Sequence, residues 1–369
     1  MDFTPTEAQA DLAKLTGEVC GKLVTADRLR ELDKAAVRFD EPLWASLAET
    51  GVLAAALPES VGGSDFGPLE QNAILRELGK HVAAVPYLWS VVLGAGALAT
   101  FGSDIQRDWA TQAAAGSVIL TAALAEERNW EPAKPTTTAV EAGSGWRVTG
   151  AKLAVPFAAQ SVRILVPATV SGRAVVFLVD PSDASVQVTT QQVTDLSAEY
   201  SLEFTDTPAE LVGTLDNGDE ILDWLLTRAW LGLSAQQLGT LERALEHVAD
   251  YAREREQFGK AVGSFQAVAQ RLADGYIDVQ GLRLAVTKAA WRLSESLPSA
   301  EAVHTAKFWA ADAGHRVAHT VIHVHGGVGI DRDHIVHNYF TAAKHNEFAL
   351  GGATDHLRAI GTLLAETPA

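Results

Sequence analysis

The sequence is poor in cysteine and in positive charge, and each shortage excludes classes of protein. Cys20 is the single cysteine among 369 residues, so no intrachain disulfide can form, which is consistent with a reducing cytoplasm. Acidic residues outnumber basic ones and give a net charge of -17. Nucleic acids and anionic membrane surfaces bind basic faces, so neither is an expected partner.

Long apolar runs and targeting signals are also scarce. The run AAVPYLWSVVLGAGALATFG contains Pro86 and several glycines, so we expect a buried helix there rather than a membrane span. The N-terminal segment MDFTPTEAQADLAKL is polar and acidic, and it lacks the basic start and apolar core of a secretory signal. Hydrophobic residues make up 47% of the chain and charged residues 20%, which predicts a folded globular protein in the cytoplasm.

Three segments with different hydrophobic periodicity follow one another. Residues 1–115 have helical periodicity, whereas residues 116–215 contain short β-branched runs separated by Gly, Ser, Pro and Asp, a pattern typical of strands. Helical periodicity returns over residues 216–369 and is broken at HVHGGVGIDRDH and at GGAT. The sequence therefore predicts a helical domain, then a β domain, then a second helical domain.

The most informative segment joins two long helices that we predict within residues 228–279. Its turn, Arg255–Gly259 with the sequence REQFG, places a cation, an amide and an aromatic ring at a helix junction. A flavin dinucleotide needs such groups, because a cation pairs with pyrophosphate, an amide binds base or ribose edges, and a ring covers them. The alternative interpretation is a helix that ends at Gly259 with a solvated charge cluster.

A second segment, Val321–Gly329, ends another predicted helix with the sequence VIHVHGGVG. Two adjacent glycines, Gly326 and Gly327, let backbone N–H groups approach a phosphate without a Cβ in the way. The alternative is an ordinary loop after a helix, with His323 and His325 incidental to it.

Both segments resemble motifs of the acyl-CoA dehydrogenase family. In that family R-x-Q-F-G is followed by F-Q, as it is here by Phe265 and Gln266, and the second motif reads Q-x-x-G-G-x-G. His323 stands at the position of the family's glutamine. The resemblance covers nearly the whole chain and is weakest in the β-rich segment.

The resemblance implies an α+β protein with the acyl-CoA dehydrogenase fold. Its parts are an N-terminal helical domain over residues 1–115, a middle β-barrel over 116–215 and a C-terminal four-helix bundle over 216–369. It also implies the cofactor FAD, contacted across a subunit interface. The residues implied to contact the adenosine and pyrophosphate half of a neighbour's FAD are Arg255, Gln257, Phe258, Gln266, His323, Gly326 and Gly327.

The glutamate that serves the family as catalytic base is missing at both of its known positions. Medium-chain members carry it in Y-E-G-T, where the register places Leu350 within the sequence ALGG. A second branch carries it on the helix before R-x-Q-F-G, where this chain has Ala229. Proton abstraction next to a thioester carbonyl needs a positioned base, typically worth ~10²–10⁴-fold in rate, and neither side chain accepts a proton.

The residues that cradle the flavin ring in the family are missing as well. The family's T-E-P-G-A-G-S-D corresponds to Ala125–Trp130, and its K-x-W-I-T corresponds to Lys152–Pro156, without the tryptophan and the threonine. We expect Trp130 and Trp146 to pack in the barrel. Because the ring cradle and the base are lost while the adenosine and pyrophosphate motifs remain, we expect a chain that serves the active site of a partner.

Longer stretches resemble one branch of the family, the subunits without a base in actinobacterial steroid acyl-CoA dehydrogenases. Among these stretches are SFQAVAQRLADGYIDVQGLRL and AGHRVAHTVIHVHGGVG. In those systems two paralogous chains form an α2β2 heterotetramer, and the α chain carries the base and the ring cradle. The resemblance implies dehydrogenation of a steroid side-chain CoA thioester, such as 3-oxo-cholest-4-en-26-oyl-CoA, with electron-transfer flavoprotein as the acceptor.

Two other functions remain open from the sequence. One is a self-sufficient homo-oligomeric dehydrogenase with an unusual base such as Glu347, although we expect Glu347 to be a surface carboxylate of a helix. The other is a flavin-free binding or scaffold protein on the same fold. The histidines at 334, 337 and 345 do not form a metal-ligand pattern, so no metal is expected.

Overall fold

A computed structural model describes residues 4–143 and 145–366. Helical segments precede and follow a region of strands. The helices are α1 Glu7–Leu23, α2 Ala26–Lys34, α3 Glu41–Glu49, α4 Pro68–Lys80, a π-helical segment Tyr87–Ala95, α5 Gly96–Phe101, α6 Asp104–Ala114, α7 Gly218–Glu254, α8 Gln266–Ser294, α9 Ala300–His325, α10 Ile335–Phe348 and α11 Ala353–Glu366. Short 3₁₀ turns are Glu59–Val61, Ala158–Gln160, Val262–Ser264 and Gly326–Ile330.

The strands lie between α6 and α7, apart from one small hairpin after α7. They are β1 Leu120–Ala122, β2 Thr138–Ala142, β3 Gly145–Pro156, β4 Arg163–Val170, β5 Arg173–Val179, β6 Val186–Gln191, β7 Glu199–Leu211, β8 Glu256–Gln257 and β9 Lys260–Ala261. This order of helices, strands and helices confirms the predicted fold class. The domain limits at residues 115 and 215 fall in the connections before β1 and after β7, and the three-domain division itself stays a proposal.

The chain forms two compact units that each combine separate stretches of sequence. One unit takes the chain up to Ala35, Pro68–Ala83 and everything from Trp230 onward. The other takes Ala36–Gly67 and Ala84–Ala229. The first unit therefore holds most of the C-terminal helices together with α1, α2 and α4, and the second holds the large sheet.

The sheet of the second unit closes on itself, as the barrel prediction requires. β4 pairs with β5, β5 with β7, β7 with β3 and β3 with β2, all antiparallel, and β2 returns to β4 through Thr138 and Thr169. β1 adds to β4 in parallel, and β6 adds to β7. Alternate residues such as Val148, Val166 and Phe177 fill the interior, because successive side chains on a strand point to opposite faces.

The apolar run around Pro86 is helical and buried in the same unit, as predicted. It begins with the π-helical segment Tyr87–Ala95 and continues into α5, and almost every side chain in it is buried. Among the described residues, no helix has the length and apolar character needed to cross a membrane.

Side-chain caps and small residues organise the first unit. The hydroxyl of Thr6 accepts the backbone N–H of Gln9, whose side chain in turn accepts the N–H of Thr6, so α1 begins with a capping box. Gln237, buried on α7, donates Nε2 to the carbonyl oxygens of Ala310 on α9 and Ala343 on α10. A Cβ at Gly314 would lie 2.1 Å from that Nε2, so a larger residue there would displace the Gln237 amide from these two hydrogen bonds.

Helix α4 crosses α7 at a pair of glycines, Gly79 and Gly239. A Cβ at Gly239 would lie 1.8 Å from the carbonyl oxygen of Arg76, and a Cβ at Gly79 would lie 2.1 Å from that of Gln236. The hydroxyl of Thr240 also donates to the carbonyl oxygen of Gly79 at 3.2 Å. The two backbones are therefore in direct contact up to the end of α4.

Candidate functional site

The predicted turn between the two long helices is a tight β-hairpin. Glu256 and Gln257 on β8 pair with Ala261 and Lys260 on β9, which leaves a two-residue loop of Phe258 and Gly259. Both loop residues have positive φ, 53° and 79°, the geometry of a type I′ turn that matches the twist of the flanking strands. The position of this segment between α7 and α8 confirms the predicted helix junction.

The hairpin presents its cofactor candidates to the outside. Arg255, Gln257 and Gln266 are exposed, and Phe258 has 92% of its surface exposed. Its ring has Phe265 as an aromatic neighbour, with ring centroids 6.2 Å apart in an edge-to-face arrangement. An exposed aromatic ring on a short fixed loop is typical of a contact residue that a ligand or a partner covers.

The predicted glycine segment forms the end of α9. Helix α9 stops at His325, and Gly326 follows with φ of +63°. Gly326 and Gly327 are exposed, and no atom lies within 4 Å of a Cβ placed on either. Gly329 differs, because a Cβ there would lie 2.9 Å from the carbonyl oxygen of Ile322. The first two glycines leave room for a ligand, whereas Gly329 serves local packing.

A stacked pair of rings brings the two predicted segments side by side. The rings of Tyr251 on α7 and His325 on α9 have centroids 4.4 Å apart, and the Tyr251 hydroxyl donates to the carbonyl oxygen of His325 at 3.3 Å. Arg255 lies one helical turn after Tyr251, and Gly326 directly follows His325, so the ring contact holds both predicted segments near each other. Burial lowers the pKa of His325, so this ring is neutral near pH 7 and its Nδ1–H donates to the carbonyl oxygen of Val321.

These two segments fit the adenosine and pyrophosphate half of FAD. Arg255 supplies a fixed positive charge, and open space at Gly326 and Gly327 lets a phosphate approach the backbone. His323 is exposed on the last turn of α9, next to those glycines. All seven residues predicted for cofactor binding are exposed, which suits a ligand held by another chain.

The region that corresponds to the ring cradle does not fit a flavin ring. The carboxylate of Glu126, with 2% of its side chain exposed, receives Lys152 Nζ at 2.7 Å and the backbone N–H groups of Thr136 and Thr137 at 2.5 and 2.9 Å. The Thr136 hydroxyl and the Asn129 amide donate to it as well. These five donors occupy the acceptor positions of the carboxylate, so it has none left for a ligand.

The charge state of this pair follows from its surroundings. Burial by itself raises the pKa of Glu126, but Lys152 and the two backbone N–H groups outweigh burial and hold the pKa well below its usual range. Burial lowers the pKa of Lys152 to about 8, partly opposed by Glu126. Both groups are therefore charged at neutral pH. In the sequence, Glu126 and Lys152 stand within runs that have the pattern of buried strands. These two residues were not paired with each other from the sequence.

The two tryptophans predicted to pack in the barrel behave differently. Trp146 packs on Phe177, with ring centroids 5.4 Å apart, as expected. The prediction for Trp130 is wrong, because 78% of its surface is exposed. Trp130 lies on the loop between β1 and β2. Asn129 braces this loop through hydrogen bonds to Glu126, Lys134 and Glu131, and this bracing holds the ring outside the barrel.

Neither base position of the family holds a proton acceptor. Ala229 is fully buried on α7. Leu350 has φ of 52° and lies in a fixed loop, where its carbonyl oxygen accepts Trp230 Nε1 at 3.0 Å and the next carbonyl, of Gly351, accepts Lys307 Nζ at 2.8 Å.

Glu347, the candidate for an unusual base, is not the surface carboxylate that we expected. It is buried, and its two oxygens pair with Lys344 Nζ at 2.5 Å and with His315 Nδ1 at 3.1 Å. The helical position alone suggested exposure, but the packing of α9 against α10 covers it. Both oxygens of this carboxylate are therefore occupied by side chains of the chain itself.

Lys307 is a site feature that sequence reasoning missed. It is fully buried on α9 and donates Nζ to the carbonyl oxygens of Asn346 and Gly351 at 3.1 and 2.8 Å. Burial lowers its pKa to about 7, and Glu347 and Asp355 oppose this. The sequence feature that could have indicated this buried lysine is its position within the alanine-rich stretch AVHTAKFWAADAG.

Comparison with known proteins places the fold and these motifs in one family. Residues 6–117 match the family described as acyl-CoA dehydrogenase, N-terminal domain, and residues 216–362 match acyl-CoA dehydrogenase, C-terminal domain. The chain belongs to the acyl-CoA dehydrogenase family.

The chain is similar to individual members of that family over nearly its whole length. It is 51% identical to acyl-CoA dehydrogenase FadE27 of Mycobacterium tuberculosis over 378 residues, with 100% of both chains covered. It superposes on a chain of the ChsE4-ChsE5 complex from Mycobacterium tuberculosis with a TM-score of 0.95 and 51% identity over 100% of both chains. A variant of the Tcur3481-Tcur3483 steroid ACAD gives a TM-score of 0.93 and 36% identity over 98% of each chain.

Proposed function

We propose that this chain is the subunit without a catalytic base in a heteromeric, FAD-dependent acyl-CoA dehydrogenase. The observation that carries the proposal is a contrast between two regions of the chain. The residues suited to adenosine and pyrophosphate are exposed and open, whereas both base positions are apolar and the ring-cradle region is filled by the Glu126–Lys152 ion pair.

The roles of the residues follow from their chemistry. Arg255 binds the pyrophosphate of a partner's FAD, and Gln257 and Gln266 bind polar edges of the adenosine. Phe258 covers the cofactor with its exposed ring. Gly326 donates its own N–H to the last carbonyl oxygens of α9 and leaves room for the phosphate, and His323 and the backbone of Gly327 complete the contact. When bound, FAD supplies the acceptor for the hydride that leaves the β-carbon of the thioester. This chain binds and orients the FAD, and the partner removes the α-proton.

The comparisons support the class of partner and substrate. One similar structure is a complex of two named components, ChsE4 and ChsE5, and another is described as a steroid ACAD with two components. We therefore propose a paralogous dehydrogenase chain as the partner, in an α2β2 heterotetramer, and a steroid side-chain CoA thioester of cholesterol catabolism as the substrate. Electron-transfer flavoprotein is the proposed acceptor, and the cytoplasm is the proposed location.

The test compares the chain alone with the chain co-expressed beside a paralogue that carries the base glutamate and the ring cradle. Flavin absorbance and turnover of a steroid CoA thioester and of a short acyl-CoA are recorded for both preparations. We expect little FAD and no turnover for the chain alone, and both FAD and steroid turnover for the complex.

Two outcomes contradict the proposal and separate the alternatives. Stoichiometric FAD with sustained turnover in the chain alone indicates a self-sufficient homo-oligomer, against which the pairing of Glu347 with Lys344 and His315 already argues. A chain that gains neither flavin nor turnover with any paralogue indicates a flavin-free scaffold.

A further inference from the structure

Three aromatic rings meet where two helices end and a third begins. Tyr251 lies on the last turn of α7, His325 ends α9, and His334 directly precedes α10. The Tyr251 and His325 rings are stacked, with centroids 4.4 Å apart and an angle of 26° between their planes. The centroid of the His334 ring lies 5.6 Å from that of His325. We call these three side chains the ring cluster, and it lies entirely within the first unit.

Tyr251 is bonded to both segments predicted for cofactor binding. Its carbonyl oxygen accepts the backbone N–H of Arg255 at 2.8 Å, and its hydroxyl donates to the carbonyl oxygen of His325 at 3.3 Å. Arg255 is the first residue of the hairpin segment, and the His325 carbonyl belongs to the peptide unit that joins His325 to Gly326. One residue therefore connects the arginine to the glycine segment through two hydrogen bonds.

The peptide unit before Gly326 is fixed on both of its polar sides. Its oxygen accepts the Tyr251 hydroxyl, and its N–H, which is that of Gly326, donates to the carbonyl oxygens of Ile322 and His323. Gly326 has φ of +63°, so the chain turns away from the helical path of α9 at this point. The orientation of this peptide unit therefore sets the direction in which the backbone continues into Gly327.

His325 contacts both of the other rings and is held in one orientation. It is buried, and its Nδ1–H donates to the carbonyl oxygen of Val321 at 2.8 Å. His334 Nδ1 accepts the backbone N–H of Val336 at 3.3 Å, which ties the ring cluster to the start of α10. The contact between His325 and His334 thus closes the base of the loop that carries Gly326.

A second contact between a histidine and a tyrosine involves α7 one turn earlier. The rings of His247 on α7 and Tyr339 on α10 have centroids 5.2 Å apart, and the Tyr339 hydroxyl donates to the carbonyl oxygen of Lys80, the last residue of α4, at 2.7 Å. Tyr339 is buried, and no residue predicted for cofactor binding neighbours these three in sequence. This contact packs helices together and provides a comparison for the ring cluster.

The spacing between the two cofactor segments depends on the residues beneath them. Arg255 and Gly327 are both exposed, whereas Tyr251 is half-buried and His325 is buried. A ligand that touches two separate segments binds more tightly when both are already in place, because ordering them on binding costs free energy. The stacked pair is therefore suited to hold both segments ready for one ligand.

We propose that Tyr251 and His325 are positioning residues for the FAD of the partner subunit. They hold the Arg255 guanidinium and the backbone of Gly327 at the spacing at which both contact one pyrophosphate. They act through these two groups and do not bind the cofactor themselves. The identity of the ligand rests on the proposed function.

A double-mutant cycle tests the proposal in the complex of the full-length chain with its paralogue. FAD is removed from the complex and titrated back, and its dissociation constant is measured by flavin fluorescence. We expect Tyr251→Leu to raise the dissociation constant roughly tenfold, because both segments must then be ordered on binding. In the Arg255→Ala background, Tyr251→Leu should cost much less than this, because the guanidinium that it positions is already absent. His325→Gln removes the other stacked ring and should show the same pattern.

The conservative variant Tyr251→Phe keeps the stacked ring and loses the hydroxyl alone. Its dissociation constant for FAD should lie between those of the wild type and Tyr251→Leu. Circular dichroism of the isolated chain shows whether each variant is folded, and His325→Gln takes the place of Tyr251→Leu in the cycle if the latter is not.

The matched control is Tyr339→Leu, which removes the comparable ring contact with His247 and the hydrogen bond to Lys80. It should lower the unfolding temperature of the isolated chain at least as much as Tyr251→Leu does, because Tyr339 is the more deeply buried of the two tyrosines. It should leave the dissociation constant for FAD unchanged, since the ring cluster is intact.

Each other result overturns the proposal in a distinguishable way. Losses from Tyr251→Leu and Arg255→Ala that multiply in the double variant show that the two residues act independently. Wild-type affinity in Tyr251→Leu and His325→Gln, with weakened binding in Arg255→Ala, removes the positioning role and leaves the proposed function intact. Equal weakening in Tyr339→Leu attributes the effect to lost stability. A wild-type complex that binds no FAD overturns both this proposal and the proposed function.

Discussion

Lys152 Nζ donates to Glu126 Oε1 at 2.7 Å, and both side chains are almost completely buried. The pair lies in the region where the family cradles the flavin ring, and its hydrogen bonds hold the loop that begins at Glu126 against β3. Desolvation of the two charges offsets much of their attraction, so such a pair adds little net stability over an apolar replacement. Removal of one partner, however, leaves the other as an unpaired buried charge, which is strongly destabilising. We therefore assign this pair a structural role.

The variant Lys152→Met should destabilise the fold by about 3–5 kcal/mol, because the carboxylate of Glu126 is left buried without its cation. The double variant Glu126→Gln/Lys152→Met should recover part of that loss, since both charges are gone. Urea unfolding of the isolated chain measures both effects. Equal stability of the single and the double variant would contradict the assignment.

The same pair predicts a pH dependence with a definite sign. The pKa of Glu126 in the folded chain is held below its ordinary value of about 4.5, so its ionisation stabilises the fold above that pH. This contribution is lost as the pH falls below 4.5 towards the folded pKa. In Lys152→Met the carboxylate loses its cation and its pKa rises, so the free energy of unfolding should fall less steeply with acid than in the wild type.

Phe258→Asn should separate a structural role of Phe258 from a functional one. The position has φ of 53° before Gly259, and Asn-Gly is the preferred pair for such a two-residue hairpin. We expect the isolated chain to keep or gain stability, within about 0.5 kcal/mol. FAD retention in the co-expressed complex should fall, because the exposed ring is removed. Unchanged retention would leave Phe258 without a cofactor role.

Arg255→Ala should weaken FAD binding in the complex by about 1.5–3 kcal/mol, the usual cost of one charge-assisted hydrogen bond. This corresponds to roughly a tenfold to hundredfold rise in the dissociation constant, measured by flavin fluorescence after dilution. Arg107→Ala, an exposed arginine on α6, is the control and should retain FAD. If the two variants behave alike, Arg255 is an ordinary surface charge.

Leu350→Glu should not turn the isolated chain into an enzyme, nor raise turnover in the complex. The new carboxylate would have no hydride acceptor to work with, because Glu126 and Lys152 fill the region of this chain that corresponds to the family's ring cradle. Catalysis depends on placing base and acceptor together, and misplacement can cost ~10²-fold. Turnover assays with the steroid CoA thioester, with Leu350→Gln as the uncharged control, check this. Measurable turnover of the isolated Leu350→Glu chain would mean that its own flavin site is intact.

Several features followed from local sequence. The hairpin at Arg255–Gly259, the break of α9 at Gly326 and the strand region all have strong local signals, namely turn residues and hydrophobic periodicity. The strand β2 has little hydrophobic pattern of its own, because four of its five residues, Thr138–Ala142, are exposed. Trp130 was assigned to the core from its hydrophobicity alone, whereas the hydrogen bonds of Asn129 place it in solvent.

The sequence by itself determined the order of helices and strands, the family motifs and the absence of a proton acceptor at positions 229 and 350. Residue identity is sufficient for these conclusions, since alanine and leucine cannot take a proton in any fold. Only the tertiary structure decided which distant residues meet. Tyr251 reaches His325 across 74 residues, and Lys307 reaches Gly351 across 44, because packing between helices sets these contacts and local periodicity carries no information about them.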